Sequence, residues 1–456
     1  MSELENADIA KWTCNKRISL LGACATWKRG DDFTKIATGV LAVAASVLSV
    51  SAQGADTLAE REVVRVVLRE NQTLKAALAK WEMMKARVPQ ARAWEDLRTG
   101  VDWTAERSVN IPPNSFMDQT AMLEQEVPIS GKNRSRSRAA TAEARSAFED
   151  LRRMELDLIM RARAAYARLA NGYAQLEVNR RNGELLNQFV QISRSRYEAG
   201  VATQADVLLA QTDSARLLEA RADIERQISE EQSALNVLMN RPAQAPLGRP
   251  SELVFTPRAL SLEELQAMAL ALRPELRRAQ DRIDAEKFRL ELANRQWFPD
   301  PALNVKAQRY NSAAQAVSEV DVGVSFPVPW LNWKKYSAGV LEARKSVEDA
   351  QHEFGATRAE ALGLVRDQLK KIRTSANQYE LYRDNILPLA RQAVEASRAA
   401  YEASTGGFLE LITARRTLQD AESAALNRLA EYEAAVAELD AIIGRASPLI
   451  EQGGKH

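Results

Sequence analysis

Two stretches of this chain repeat each other, and both have the composition of a turn between two helices. They read RYEAGVATQADVL at residues 196–208 and AYEASTGGFLELI at residues 400–412, and they align without a gap at an offset of 204 residues. The correspondence continues downstream at three further pairs, Leu235 with Leu439, Leu238 with Ile442 and Arg241 with Arg445. A repeated unit of this size exceeds the ~20–50 residues of a solenoid repeat, so the chain is predicted to contain two homologous halves.

The composition excludes several classes of protein. Of the 456 residues, 27% are charged, and 62 basic side chains face 61 acidic ones, which argues against a polyanion binder that relies on net charge. The two cysteines and two histidines (Cys14, Cys24, His352 and His456) have no partners at the spacing of a metal site or a catalytic couple. We therefore expect neither an enzyme nor a bound metal or cofactor.

The N-terminal residues contain a candidate secretory signal. Lys35 and the basic residues before it precede an apolar run at 36–50, and small residues follow, so cleavage is expected after Ala52. A membrane anchor is disfavoured because this run is shorter than the ~20 residues of a spanning helix. Lipidation at Cys24 is an alternative, because residues 21–24 resemble a lipoprotein cleavage box, but the apolar stretch before Cys24 is short for an export signal. A start codon assigned too early is another alternative.

Most of the chain is predicted to be helical. No proline occurs between Pro128 and Pro242, and the intervening residues are rich in strong helix formers. Turn residues near Gly200 divide this part into a helix of roughly 60 residues and a shorter one, and the second half repeats the pattern. The predicted helices run from about 135 to the turn, 204–240, 334–403 and 408–443, and Pro388 should disturb the third of them.

The last predicted helix has two apolar stripes with a seven-residue period. One consists of Leu411, Leu418, Ala425, Tyr432 and Leu439, and the other of Leu429, Val436 and Ile443. Two adjacent stripes suit packing against two neighbouring helices, as in a tube, better than a single dimer seam.

Alternating apolar and polar residues predict four strands. The clearest pair comprises Leu303, Val305 and Ala307, then Val320, Val322, Val324 and Phe326; a weaker pair comprises Val101, Trp103 and Ala105, then Ala121, Leu123, Gln125 and Val127. Four strands cannot close a barrel, so several copies of the chain are needed. Aromatic residues at the strand ends suit the girdles of an outer-membrane barrel: Trp94, Trp103, Trp297, Phe298, Phe326, Trp330 and Trp333. Capping of a soluble core is the alternative.

These boundaries divide the chain into four parts. We predict an N-terminal extension and signal peptide at 1–52, a first structural repeat at 53–256, a second at 257–445 and a C-terminal tail at 446–456.

Over residues 57–445, the chain resembles the TolC family of outer membrane factors. The resemblance rests on the two tip stretches, on Pro274-Glu275-Leu276, on Val324-Ser325-Phe326-Pro327 and on Leu238-Met239-Asn240-Arg241-Pro242. It implies a mainly α homotrimer, in which a helical tunnel is continued by a twelve-stranded outer-membrane β-barrel with four strands per chain.

The family further implies a passive exit duct that extends from the outer membrane into the periplasm. Its partners would be a periplasmic adaptor, an inner-membrane pump of the resistance-nodulation-division type and outer-membrane lipid. Residues 126–132 (EVPISGK) resemble the strand-to-helix junction of heavy-metal efflux (CzcC-like) members, which suggests metal cations among the solutes. The alternative is a periplasmic coiled-coil adaptor or scaffold without a pore, but the alternating strands favour the channel.

The resemblance places the gate and the adaptor contacts at the hairpin tips. Tyr401 occupies the position of the gate tyrosine, where it would block the lumen sterically, and Tyr197 is its counterpart in the other half. The remaining gate and tip residues are Gly200, Asp206, Gly406, Gly407 and Glu410, and the expected adaptor contacts are Arg196, Val201, Ala202 and Thr203. Gly406 stands where TolC has a gate arginine, so closure must use other contacts.

The acidic residues at the two tips allow two interpretations. Glu410 matches an acidic position that lines the entrance in TolC, and three copies of a carboxylate around a lumen would attract cations. Asp206 and Glu410 could equally be acids that stabilise the first turn of a helix through its dipole.

Overall fold

The computed structural model describes residues 57–103, 118–311 and 316–445. The predicted signal segment, its cleavage site, the predicted strand residue Ala105 and the tail at 446–456 lie outside these ranges. In the first half the elements are α1 (Glu60–Glu70), α2 (Gln72–Arg92), β1 (Arg98–Trp103), β2 (Gln119–Glu126), α3 (Lys132–Glu198) and α4 (Gln204–Leu238). In the second half they are α5 (Leu262–Leu272), α6 (Pro274–Arg295), β3 (Ala302–Asn311), β4 (Ala316–Ser325), a 3-10 turn (Pro329–Asn332), α7 (Trp333–Leu381), a π turn (Tyr382–Ile386), α8 (Leu387–Glu402) and α9 (Phe408–Ile442).

The two halves have the same order of elements. In each, a leading helical segment is followed by two strands, a very long helix, a turn and a long helix. The structure divides each leading segment into two helices. Asn71 ends α1 and caps α2, accepting hydrogen bonds from the amides of Thr73 and Leu74 at 2.9 and 3.2 Å, and Pro274 separates α5 from α6.

The long helices match the prediction. Helix α3 has 67 residues and is therefore roughly 100 Å long at 1.5 Å per residue. The predicted disturbance at Pro388 is also present, because the chain widens into the π turn Tyr382–Ile386 just before it. Proline lacks an amide hydrogen and its ring collides with the preceding turn, so a wider turn relieves that contact.

Helix α9 buries both of its predicted stripes. Leu411, Tyr432, Val436, Leu439 and Ile443 are all at most 2% exposed. The helix packs against α3 of the first half and against α7 and α8 of the second, so it has the several neighbours that the sequence predicted.

Each half has its own apolar core, and a third core joins them. In the first half, Val63 and Val67 of α1 pack on α3 and α4; in the second, Leu265 and Ala269 of α5 pack on α7 and α9. The third core lies towards the two hairpin tips and takes residues from both halves: Leu186, Phe189, Ala210, Leu217, Val394, Tyr401, Phe408, Leu411 and Ile412. The tips of the two hairpins are thus held together by shared apolar packing.

The four strands form one antiparallel sheet in the order β1-β2-β3-β4. The register places apolar residues of neighbouring strands opposite each other, with Leu303 opposite Val324 and Val305 opposite both Val322 and Leu123. The face of the sheet that carries these apolar residues is exposed, since Val320, Val322 and Val324 are 67%, 76% and 60% accessible. The other face is polar and carries an ion pair between Arg98 and Glu124 at 3.3 Å, so the predicted alternation is confirmed.

Six of the seven aromatic residues assigned to the strand ends are exposed: Trp94, Trp103, Phe298, Phe326, Trp330 and Trp333. Trp297 is half-buried instead and packs on Tyr336, with the ring centroids 5.5 Å apart. Exposed rings of this size do not suit the alternative in which they cap a soluble core.

No helix within the described part of the chain is long and apolar enough to cross a membrane.

Two glycines of α3 give a matched test of its packing. A Cβ at Gly172 would lie 2.8 Å from Cγ1 of Ile228, whereas a Cβ at Gly183 would have no atom within 4 Å. Gly183→Ala should raise the unfolding free energy by about 0.5–1 kcal/mol through helix propensity. Gly172→Ala should lower it, because α4 must move away. Thermal unfolding midpoints of the purified protein test this, and equal shifts for both variants would contradict the packing of α3 on α4.

Candidate functional site

The two hairpin turns have the same backbone but different residues. Gly200 has φ +75° and Ser404, at the equivalent position, has φ +60°. Glycine adopts this left-handed conformation without penalty, but a serine there is strained. The second turn therefore needs a compensating contact that the first does not.

Arg196 provides that contact from the other hairpin. Its Nη2 donates to the Oγ of Ser404 at 2.7 Å, and its Nη1 donates to the carbonyl oxygens of Tyr401 and Glu402 at 2.6 and 3.0 Å. The guanidinium also lies over the ring of Tyr401, 4.6 Å from its centroid. These carbonyls end helix α8, where a positive charge is stabilising. We call this set of contacts the Arg196 latch.

Arg196 and Tyr401 both make contacts within the chain. Arg196, an expected adaptor contact, uses its side chain in the latch. Tyr401, which was expected to block the lumen sterically, is 4% exposed and stacks on Phe408 with a centroid distance of 5.3 Å. Its equivalent Tyr197 is 47% exposed, so only one of the two tyrosines packs in the shared core described above.

The hydroxyl group of Tyr401 is buried and has no hydrogen-bond partner in the described part of the chain. Burial raises the pKa of this hydroxyl above its usual value, and the negative charge of Asp206 raises it further. Tyr401 is therefore a neutral, apolar packing group in this conformation.

The two acids at the tips have different surroundings. Asp206 and Thr203 form a capping box: the amide of Asp206 donates to Oγ1 of Thr203 at 3.3 Å, and Oδ2 of Asp206 accepts from the amide of Thr203 at 3.2 Å. Gly407 takes the place of Thr203 in the second hairpin and has no side chain to cap α9. Glu410 is exposed and has no hydrogen bond or ion pair with any described residue, so its carboxylate is available to solutes.

Position 406 requires a glycine, because the turn has no room for a Cβ atom there. A Cβ at this position would lie 2.9 Å from the Cβ of Ala400, so an arginine of the kind found in TolC does not fit this turn. The Arg196 latch comes from the opposite hairpin and reaches the same turn. Among the other expected adaptor contacts, Val201 is 58% exposed, Thr203 is exposed and Ala202 is half-buried.

A buried ion cluster joins the two hairpins further from the tips. Asp213 of α4 is 1% exposed and accepts hydrogen bonds from Arg415 Nη2 at 3.1 Å and from Arg416 Nε at 3.0 Å, both on α9. Burial alone would raise the pKa of Asp213, but the hydrogen bonds from Arg416 and the charge of Arg415 hold it below its usual value. Burial lowers the pKa of Arg415.

The sequence analysis did not identify this cluster. The signal was nevertheless present: Asp213 lies three residues after Ala210 and four before Leu217, on the buried face of α4. Arg415 has the same kind of position on α9, between Ile412 and Leu418.

In the described ranges 57–103, 118–311 and 316–445, no group of three or more His, Cys, Asp or Glu residues is placed to hold a metal ion.

Comparison with known proteins agrees with this architecture. Residues 63–241 and 265–445 each match the sequence profile of the family described as outer membrane efflux protein. The chain belongs to this family. The toluene efflux pump outer membrane protein TtgF of Pseudomonas putida is 25% identical over 376 residues, which are 78% of this chain and 77% of TtgF.

Two further proteins are similar along most of their length. The cobalt-zinc-cadmium resistance protein CzcC of Cupriavidus metallidurans is 23% identical over 398 residues, covering 82% of this chain and 87% of CzcC. The crystal structure of the outer membrane protein VceC of Vibrio cholerae superposes with a TM-score of 0.71 at 18% identity, covering 85% of this chain and 96% of VceC.

Membership of the outer membrane efflux protein family confirms the TolC-family resemblance and the predicted fold class. The protein is an outer-membrane efflux channel that extends into the periplasm, and it is not an enzyme. The alternative of an adaptor or scaffold without a pore is wrong.

Asp213→Asn tests the buried ion cluster. The substitution leaves the charge of Arg415 in a dry site without its partner, which should lower the unfolding free energy by roughly 3–5 kcal/mol. Because the pKa of Asp213 is lowered, its contribution is present at neutral pH and is lost as the pH falls through the aspartate range. Denaturant unfolding measures both effects. Asp223→Asn is the control on the same helix, since that side chain is 65% exposed, and equal losses for the two variants would contradict the account.

Proposed function

We propose that three copies of this chain form the duct. β1 and β4 are the outer strands of the described sheet, and each has one edge without a pairing strand among the described residues. Such edges are unfavourable in lipid, where every backbone polar group needs a partner. Pairing β4 of one copy with β1 of the next supplies the partners, and the exposed valines then face the hydrocarbon.

The mass of the purified channel tests this assembly. Light scattering or native mass spectrometry in a mild detergent should give three times the mass of the mature chain. A monomer or dimer as the stable species would contradict the proposed closure of the sheet.

We further propose that the tips dock a periplasmic adaptor, which connects the duct to an inner-membrane pump. The exposed apolar side chains at the tips support this, since large apolar groups that face solvent mark interaction sites. Tyr197, Val201 and Leu208 on the first hairpin and Leu409 on the second are 47%, 58%, 53% and 61% exposed. Adaptor docking is thus assigned to these side chains, while Arg196 acts within the chain.

We propose that the Arg196 latch keeps the tip closed in place of the gate arginine of TolC. It joins the end of α3 to the end of α8 through three hydrogen bonds and one cation–π contact, so the hairpins cannot separate while it is formed. Opening would then require α8 and α9 to move away from α3, which also exposes the ring of Tyr401 to the lumen.

Arg196→Ala should therefore raise the single-channel conductance of the purified protein in a planar bilayer, because the second turn loses its anchor. Arg194→Ala is the matched control: Arg194 lies half a turn away, and its one ion pair among the described residues is with Glu198 of its own helix, at 3.1 Å. If both variants have the conductance of the unsubstituted channel, the latch does not restrict the pore.

The second tip is expected to attract cations among the transported solutes. Glu410 has a free carboxylate, and three copies at a narrow entrance would concentrate cations. The relatives support no narrower choice, since TtgF is named for toluene and CzcC for cobalt, zinc and cadmium. Metal cations among the solutes, as the 126–132 junction suggested, are part of this proposal.

Glu410→Gln should lower the ratio of cation to anion permeability, which reversal potentials in a salt gradient measure. Glu402→Gln is the control, because that carboxylate is already paired with Arg398 at 3.0 Å. An unchanged permeability ratio for Glu410→Gln would place this side chain outside the conducting path.

A further inference from the structure

A cavity of about 310 Å³ lies where the two halves of the chain meet. Its walls are α3, the segment 249–253 that connects α4 to α5, the residues around the π turn, and α9. This volume lies within the range of small-molecule sites. The cavity lies outside the shared core at the tips and shares none of the residues assigned to the gate.

The cavity combines an apolar floor with aromatic sides. The floor consists of Ala170, Ala174, Val178, Leu387, Ala425 and Leu429. Tyr173 and Tyr379 stand beside it. Such a floor stabilises a flat or branched apolar body of a ligand by removing it from water.

Four arginines line the cavity, and the side chains of three of them donate no hydrogen bond within the described ranges. Arg391 and Arg181 form ion pairs with Glu422 and Glu177 at 3.8 and 4.0 Å, which is too far for a hydrogen bond. Arg249 stacks over Tyr173 at 5.6 Å, and its positive charge helps to lower the pKa of Glu177. The fourth, Arg383, is already paired with Asp384 at 2.6 Å.

Two carboxylates that line the cavity are ion-paired with these arginines but take their hydrogen bonds from other groups. Glu177 bonds Arg180, outside the cavity, at 2.6 Å, and Glu422 accepts from Asn182 at 3.3 Å. Glu252 also lines the cavity and has no hydrogen bond in the part of the chain that the structure describes. Arginine donors in this arrangement match a planar anion such as a carboxylate or sulfonate.

We propose that this cavity binds a small amphipathic organic anion, with an apolar body for the floor and one carboxylate or sulfonate for the guanidinium groups. The ligand bridges residues of both halves, so its binding stabilises the segment 249–253 against α3 and the π turn. The site shares no residue with the proposed gate, so its test does not depend on the gate.

Dansylglycine is a suitable probe, because it has a naphthalene body, a sulfonamide N–H and a carboxylate, and its fluorescence rises in apolar surroundings. It is titrated into the full-length channel in an uncharged maltoside detergent, with protein-free micelles as the blank. Dansylglycinamide, which has the same body and donor without the charge, is the matched compound. Saturable binding of about one molecule per chain is expected for the acid only.

Variants assign the binding to this cavity. Arg249→Gln combined with Arg391→Gln should weaken binding by about tenfold or more, because hydrogen bonds to an anion are lost. Ala174→Phe should abolish binding by filling the floor, and its elution as the intact oligomer shows that it is folded. Arg226→Gln, at an exposed arginine that does not line the cavity, should leave binding unchanged.

Two results would overturn the proposal. One is equal binding of the acid and the amide, and the other is an unchanged affinity in the double arginine variant.

Discussion

The structure depends on the burial of α9, which carries apolar residues on two adjacent sides. A helix of this kind is stable in water only when other helices cover both sides, and α3, α7 and α8 do so. Because α3 belongs to the first half and the other two to the second, covering α9 joins the halves into one unit. The shared core near the tips and the ion cluster of Asp213 follow from this contact.

The differences between the hairpins are a consequence of that joining. Both turns need a residue with positive φ, and Gly200 meets the need without help. Ser404 is strained alone, but its hydroxyl gives Arg196 a bonding partner, so the strain and the latch occur together. Likewise, Thr203 engages Asp206 in a capping box, whereas Gly407 leaves Glu410 free. Duplication supplied two similar turns, and a few substitutions gave them different contacts.

Much of the fold could be predicted from composition and periodicity. The absence of proline and the many helix formers predicted the long helices. Apolar residues at intervals of seven and of two predicted the stripes of α9 and the four strands, because these patterns follow directly from helix and strand geometry. Pro388 predicted an irregularity for an equally local reason.

The contacts at the tips could not be predicted in this way. Tyr197 and Tyr401 occupy equivalent positions in the sequence, yet only Tyr401 is buried, since burial depends on which hairpin lies over the other. The partners of Arg196 and Asp213 are more than 200 residues away along the chain. Charge pairs at such separations leave no periodic signal. Only the position of Asp213 on an apolar face indicated that it needed a partner.

The central claim is that the two tips of one chain form a single unit held by Arg196. Hydrogen exchange measured by mass spectrometry tests it directly, because the effect is read on the hairpin that is not altered. The amides of Thr405 and Gly406 bond to the carbonyl oxygen of Ala400 at 2.9 and 3.0 Å in the second turn. When Arg196 of the first hairpin is replaced by alanine, peptides covering 400–408 should exchange faster than in the unaltered channel. Unchanged exchange there would show that the second turn is stable without Arg196, and would contradict the account.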